Sequence, residues 1–72
     1  MKNLYVLASL TNPIIYVMEN GNKIDALANI ELKELAGVLK EMQKKHGITD
    51  YTIQGSSYLI KQFKEYLAKK GQ

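Results

Sequence analysis

Residues 3 to 10, Asn-Leu-Tyr-Val-Leu-Ala-Ser-Leu, are apolar on both alternating sets, with Leu4, Val6 and Ala8 on one side of an extended chain and Tyr5 and Leu7 on the other. A half-buried strand alternates between apolar and polar side chains. One that is apolar on both sides belongs in the middle of a sheet, with cover above and below. The chain has 72 residues to provide that cover, enough for a single domain over residues 1–72. At this size folding hides only about 60% of the surface that the unfolded chain exposes, so the core is thin and any partner surface is a large share of the molecule. There is no cysteine, hence neither a disulfide framework nor a thiolate metal site. Stability, about 4 to 11 kcal/mol for a chain of this length, has to come from packing.

The remaining elements follow from turn chemistry and period. Thr11-Asn12-Pro13 breaks the first run, and Ile14 to Met18 is a second β-branched and aromatic strand. Glu19-Asn20-Gly21-Asn22 contains the Asn-Gly pair that tolerates positive φ at both centres of a type I′ turn, so Lys23 to Ala28 is expected to return antiparallel. Asp25 and two alanines make this third strand the weakest by composition. From Asn29 the period becomes helical: Leu32, Leu35, Ala36, Leu39 and Met42 share a face. A helix is expected over about 30 to 46, with Asn29 as its cap, Glu31 and Glu34 in its first turns, Lys44, Lys45 and His46 in its last, and Gly47-Ile48 as its glycine exit. Asp50 to Gln54 reads as a short fourth strand, and Gly55-Ser56-Ser57 as the cap of a second helix that runs to about Lys70 and leaves at Gly71. Its apolar stripe is Leu59, Ile60, Phe63, Tyr66 and Leu67.

The order β-β-β-α-β-α defines an α+β domain. A right-handed crossover from the third strand to the fourth gives a mixed four-stranded sheet in the order 3-2-1-4, with the doubly apolar first strand inside it. This succession of elements resembles the first half of the ribonuclease H-like fold. The resemblance implies a two-metal nuclease centre with a carboxylate in the first strand, one on the first helix and one at the end of the fourth strand. Here the first strand has Ala8 and Ser9, the fourth ends in Gln54, Gly55 and Ser56, and only helix glutamates such as Glu34 or Glu41 remain. A lone carboxylate cannot hold two divalent ions, so no catalytic, metal or cofactor site is expected.

Other polar groups have plain structural readings. His46 and the lysines beside it complete a helix C-terminus, with Asp50 as a surface partner for the imidazole. Gly55-Ser56-Ser57 lacks the glycine and lysine pattern of a phosphate loop and is read as a cap. No base or oxyanion site accompanies Ser56 or Ser57 as a nucleophile. Ten lysines against seven acids give a net charge of +3, and no arginine supplies the planar fork that reads phosphates and base edges. No apolar run approaches the roughly 20 residues needed to span a bilayer, and a cytoplasmic location is expected. In compactness and lysine-only basicity the chain resembles small accessory proteins of phages and mobile elements.

Two functions follow as expectations. Two helices cover one face of a four-stranded sheet, which leaves Tyr5, Leu7, Ile15 and Val17, or their alternates, as a candidate interface for a homodimer or a protein partner. The open edge of the fourth strand adds a second place of association. The alternative is a single-stranded nucleic-acid platform in which Tyr16 stacks on bases and Lys2, Lys23, Lys61 and Lys64 meet phosphates.

Overall fold

The computed structural model describes residues 1 to 70, the side chain of Lys70 excepted. The strands are β1 (Lys2–Leu7), β2 (Ile14–Glu19), β3 (Asn22–Leu27) and β4 (Thr52–Gln54), and the helices are α1 (Leu35–His46) and α2 (Ser57–Lys70). They form one mixed sheet in the order β3-β2-β1-β4, with β1 antiparallel to β2 and parallel to β4. The α+β class, the strand order and the central place of the first strand are those expected. The exit expected at Gly71 lies outside the described residues.

Both helices pack on one face of the sheet. Leu4, Val6, Ala8, Ile15, Val17 and Ile53 meet Leu35, Leu39 and Met42 of α1 and Phe63 and Leu67 of α2, with Ile30 closing one side. Val6, Ile15, Val17 and Leu35 have no exposed surface, so each contributes about 1.5 to 3 kcal/mol of burial. At the β2–β3 hairpin Asn20 (φ 52°) and Gly21 (φ 83°) both take positive φ, as a type I′ turn requires. The expected glycine exit of α1 is present: Gly47 is left-handed and the Ile48 N–H reaches the Gln43 carbonyl at 2.9 Å. Ser56 caps α2 by accepting the Leu59 N–H at 3.3 Å.

The start of α1 differs from the expectation. Leu32–Glu34 is a 3-10 turn and regular helix begins at Leu35, so Asn29 does not cap it; Glu34 holds the cap position without a side-chain bond. Asn29 instead sits at φ 58°. The chain has to leave the sheet edge and climb to the helix layer there, and asparagine tolerates the left-handed conformation of such a bend. Leu32, expected on the buried stripe, keeps 37% of its surface exposed as a result.

Candidate interaction surface

The sheet face away from the helices is built by register. Tyr5 opposes Tyr16, Leu7 opposes Ile14 and Asn3 opposes Met18, while Thr52 and Gln54 stand beside Tyr5 and Leu7 on β4 and Ala26 beside Tyr16 on β3. Side chains opposite each other share a face. The result is an apolar and aromatic surface over which neither α1 nor α2 lies, with Leu7 at 38% exposure and Tyr5, Ile14, Tyr16 and Met18 half-buried.

Its centre is ordered. The Tyr5 and Tyr16 rings stack with centroids 5.2 Å apart and 23° between planes. The Tyr16 hydroxyl crosses β1 and donates to Gln54 Oε1 on β4. Lys23 Nζ lies 5.4 Å from the Tyr16 centroid, within range of a cation–π contact.

Half of the expected interface is corrected by this register. Tyr5 and Leu7 are on the open face, but Ile15 and Val17 are fully buried under the helices, opposite Val6 and Leu4. The loop from Ala8 to Pro13 sets the pairing so that odd positions of β1 face even positions of β2. A one-residue difference in register exchanges the two faces of a strand. Ile14, Tyr16 and Met18 therefore occupy the places assigned to Ile15 and Val17.

The expected nucleic-acid contacts divide between the two sides. Tyr16 and Lys23 meet on the open face. Lys2 opens β1 beside Glu19, in step with the buried Leu4. Lys61 and Lys64 are on α2, in the layer behind the sheet.

A polar cluster that sequence reasoning missed joins β3 to the end of α1. Asp25 Oδ2 is 2.9 Å from His46 Nε2 and 3.0 Å from Lys45 Nζ, and Asp25 Oδ1 accepts the Ala26 N–H at 2.9 Å. The His46 hydrogen bond, and after it that of Lys45, hold the Asp25 carboxyl at a pKa of about 2, below its ordinary 3.8. An ionised carboxylate only accepts, so Nε2 carries the hydrogen that His46 donates. His46 is thus partnered by Asp25 and not by Asp50. No alternation within the strand signals this, because the irregularity between Val17 and Met18 shifts the pairing so that Asp25 opposes Val17 and lies on the helix side of β3, within reach of the end of α1.

Among the described residues no group of three or more His, Cys, Asp or Glu side chains is placed to hold a metal ion, and no helix is long and apolar enough to cross a membrane. No protein-family model, curated protein or solved structure matches the chain.

Proposed function

We propose that this protein is a non-catalytic interaction module that pairs with a second copy of itself through the open face of the sheet. The observation that carries the reading is the contiguous surface of Tyr5, Leu7, Ile14, Tyr16 and Met18 opposite the helix layer. Apolar surface of this kind in so small a domain gains by being removed from water. The face suits a copy of itself because an isologous contact brings like to like. Lys23 is the charged group at its stacked centre, and it already sits against Tyr16. The non-catalytic part of the reading is supported by Ala8, Ser9, Gln54 and Gly55 at the places where a nuclease of similar topology needs carboxylates.

The size of the face sets the expected affinity. Three strands of six residues and one of three, about 4.8 Å apart with about 3.3 Å per residue, make a patch of at most roughly 19 by 20 Å. That is below the size of a standard specific interface, so weak pairing is expected, with a dissociation constant of about micromolar or above. Light scattering after size exclusion, over a dilution series from about 1 mM to about 1 μM, tests it. A mass moving from twice 8.2 kDa to 8.2 kDa supports the pairing, and a monomer throughout removes it.

The stacked tyrosines with Lys23 beside them favour one second reading, a platform for single-stranded nucleic acid. It requires binding of an oligonucleotide at about 50 mM salt that weakens steeply as salt rises. No binding under those conditions disposes of it.

A further inference from the structure

The two free edges of the sheet are unlike. β3 is guarded: it carries Lys23 and Asp25, and its ladder with β2 is broken by an irregularity between Val17 and Met18. Charges and bulges of this kind keep other strands from adding to an edge. β4 has Thr52, Ile53 and Gln54, with neither a charge nor a bulge. The Ala8 N–H bonds to the Gln54 carbonyl at 2.8 Å, so in the parallel ladder Gln54 and Thr52 turn their backbone groups toward β1. The N–H and C=O of Ile53 then point outward from the edge.

Beside this edge runs an open groove of about 470 Å³ between β4 and α2, lined by Tyr51, Thr52, Ile53, Ile60 and Lys64. Tyr51 immediately precedes the strand, two residues before Ile53, and Ile60 and Lys64 come from successive turns of the helix. We propose that this edge and groove take up an extended segment of another protein, one with an apolar side chain and a carboxylate two residues from it. The segment pairs with Ile53 through its backbone. Its apolar side chain sits on Ile53 and Ile60, and its carboxylate meets Lys64. The spacings agree: side chains at i and i+2 of a strand are about 6.6 Å apart and those at i and i+4 of a helix rise about 6 Å.

The charge argues for a different protein as occupant. Pairing β4 with β4 of a second copy about a two-fold axis brings the two grooves together, and with them the Lys64 of each. Like charges so placed repel, whereas a carboxylate on the incoming segment removes the repulsion and adds an attraction. Strand addition with alternate side-chain pockets is a general mode of peptide recognition. This surface lies on the edge, apart from the open face, and the inference does not depend on pairing through that face.

The probe is a phage-displayed library of random twelve-residue peptides selected on the full chain, with the recovered sequences made synthetically for amide-resolved NMR. The expected peptides carry an apolar residue two positions from Asp or Glu, shift the amides of Tyr51 to Gly55 and slow exchange at the Ile53 N–H. Lys64→Glu, at an exposed position, is expected to weaken such a peptide about tenfold or more, and replacement of the peptide's acid by Lys to restore binding to that variant. Four results overturn the proposal: no enrichment, enriched sequences without the acid, shifts confined to Tyr5, Leu7 and Tyr16, or an Ile53 amide already protected in the free protein at about 100 μM. The last places a second copy on the edge, and the third places the peptide on the open face.

Discussion

Tyr16 is held from two sides, with its ring stacked on Tyr5 at 5.2 Å between centroids and its hydroxyl bonded to Gln54 two strands away. The stack spans β1 and β2 and the hydroxyl reaches β4, so one side chain ties three strands together on the face that α1 and α2 leave uncovered. Tyr16→Phe keeps the stack and removes the bond. A loss of about 0.5 to 1.5 kcal/mol is expected. That is a fall in melting temperature of about 2 to 12 °C, since each kcal/mol shifts a domain of this size by about 4 to 8 °C. Calorimetry of the variant at one fixed concentration checks it, and the dimer proposed above should survive because the apolar surface is unchanged.

The two faces of the sheet are separated by a pair of matched substitutions. Leu7→Asp places a carboxylate on the open face, where water reaches it, and the monomer should keep its stability within about 1 kcal/mol while losing association. Val17→Asp places the same group at a position with no exposed surface beneath the helices, opposite Leu4. An unpaired buried charge costs several kcal/mol against a total of about 4 to 11, so that chain should not fold. Circular dichroism with light scattering on both variants distinguishes the outcomes. A folded Val17→Asp protein would mean that the register is wrong.

Asp25 makes the stability depend on pH in a defined window. Its pKa of about 2 in the folded chain lies below its ordinary 3.8, so the folded state favours the ionised form. The contribution is complete above about pH 4, falls as pH drops through the interval from about 4 to 2, and is absent below both values. Asp25→Asn should therefore be less stable than the parent at pH 5 and should converge with it near pH 2, as measured by urea unfolding at several pH values. His46→Ala should cost more than Lys45→Ala. The imidazole is 11% exposed and the lysine 66%, and an exposed ion pair is screened by water.

The parts of this fold that are legible in the sequence are those set by local chemistry. Asn20-Gly21 specifies its turn through positive φ, Gly47-Ile48 its helix exit, and the doubly apolar run of β1 its central place. What is not legible depends on how elements meet. The face assigned to Ile15 and Val17 turns on the register that the loop before β2 imposes, and no periodicity within either strand reports that register. The same holds for Asp25, a poor strand former in isolation whose place follows from the end of α1 lying over β3. The open face was half legible. Tyr5 and Leu7 announce it, and their partners Tyr16 and Ile14 come from the pairing.

The junction between β4 and α2 gives the sharpest test of the backbone. Gly55 has a φ of 142°, which L side chains rarely adopt, and a Cβ added there lies 3.3 Å from the Cβ of Ala8 and 3.5 Å from its carbonyl oxygen. Ala8 is itself buried at 7% exposure and bonded through its N–H to Gln54, so it has little room to retreat. The conformation and the contact act in the same direction. Gly55→Ala should cost about 1 to 3 kcal/mol, the range for a residue held in a sparsely populated backbone region. Gly37→Ala serves as the control, because the added Cβ meets nothing within 4 Å and the residue is inside α1. There alanine should stabilise by about 0.5 to 1 kcal/mol. Chemical unfolding of the two variants side by side should give shifts of opposite sign. A Gly55→Ala protein as stable as the parent would show that the chain between the fourth strand and the last helix takes a different path from the one described.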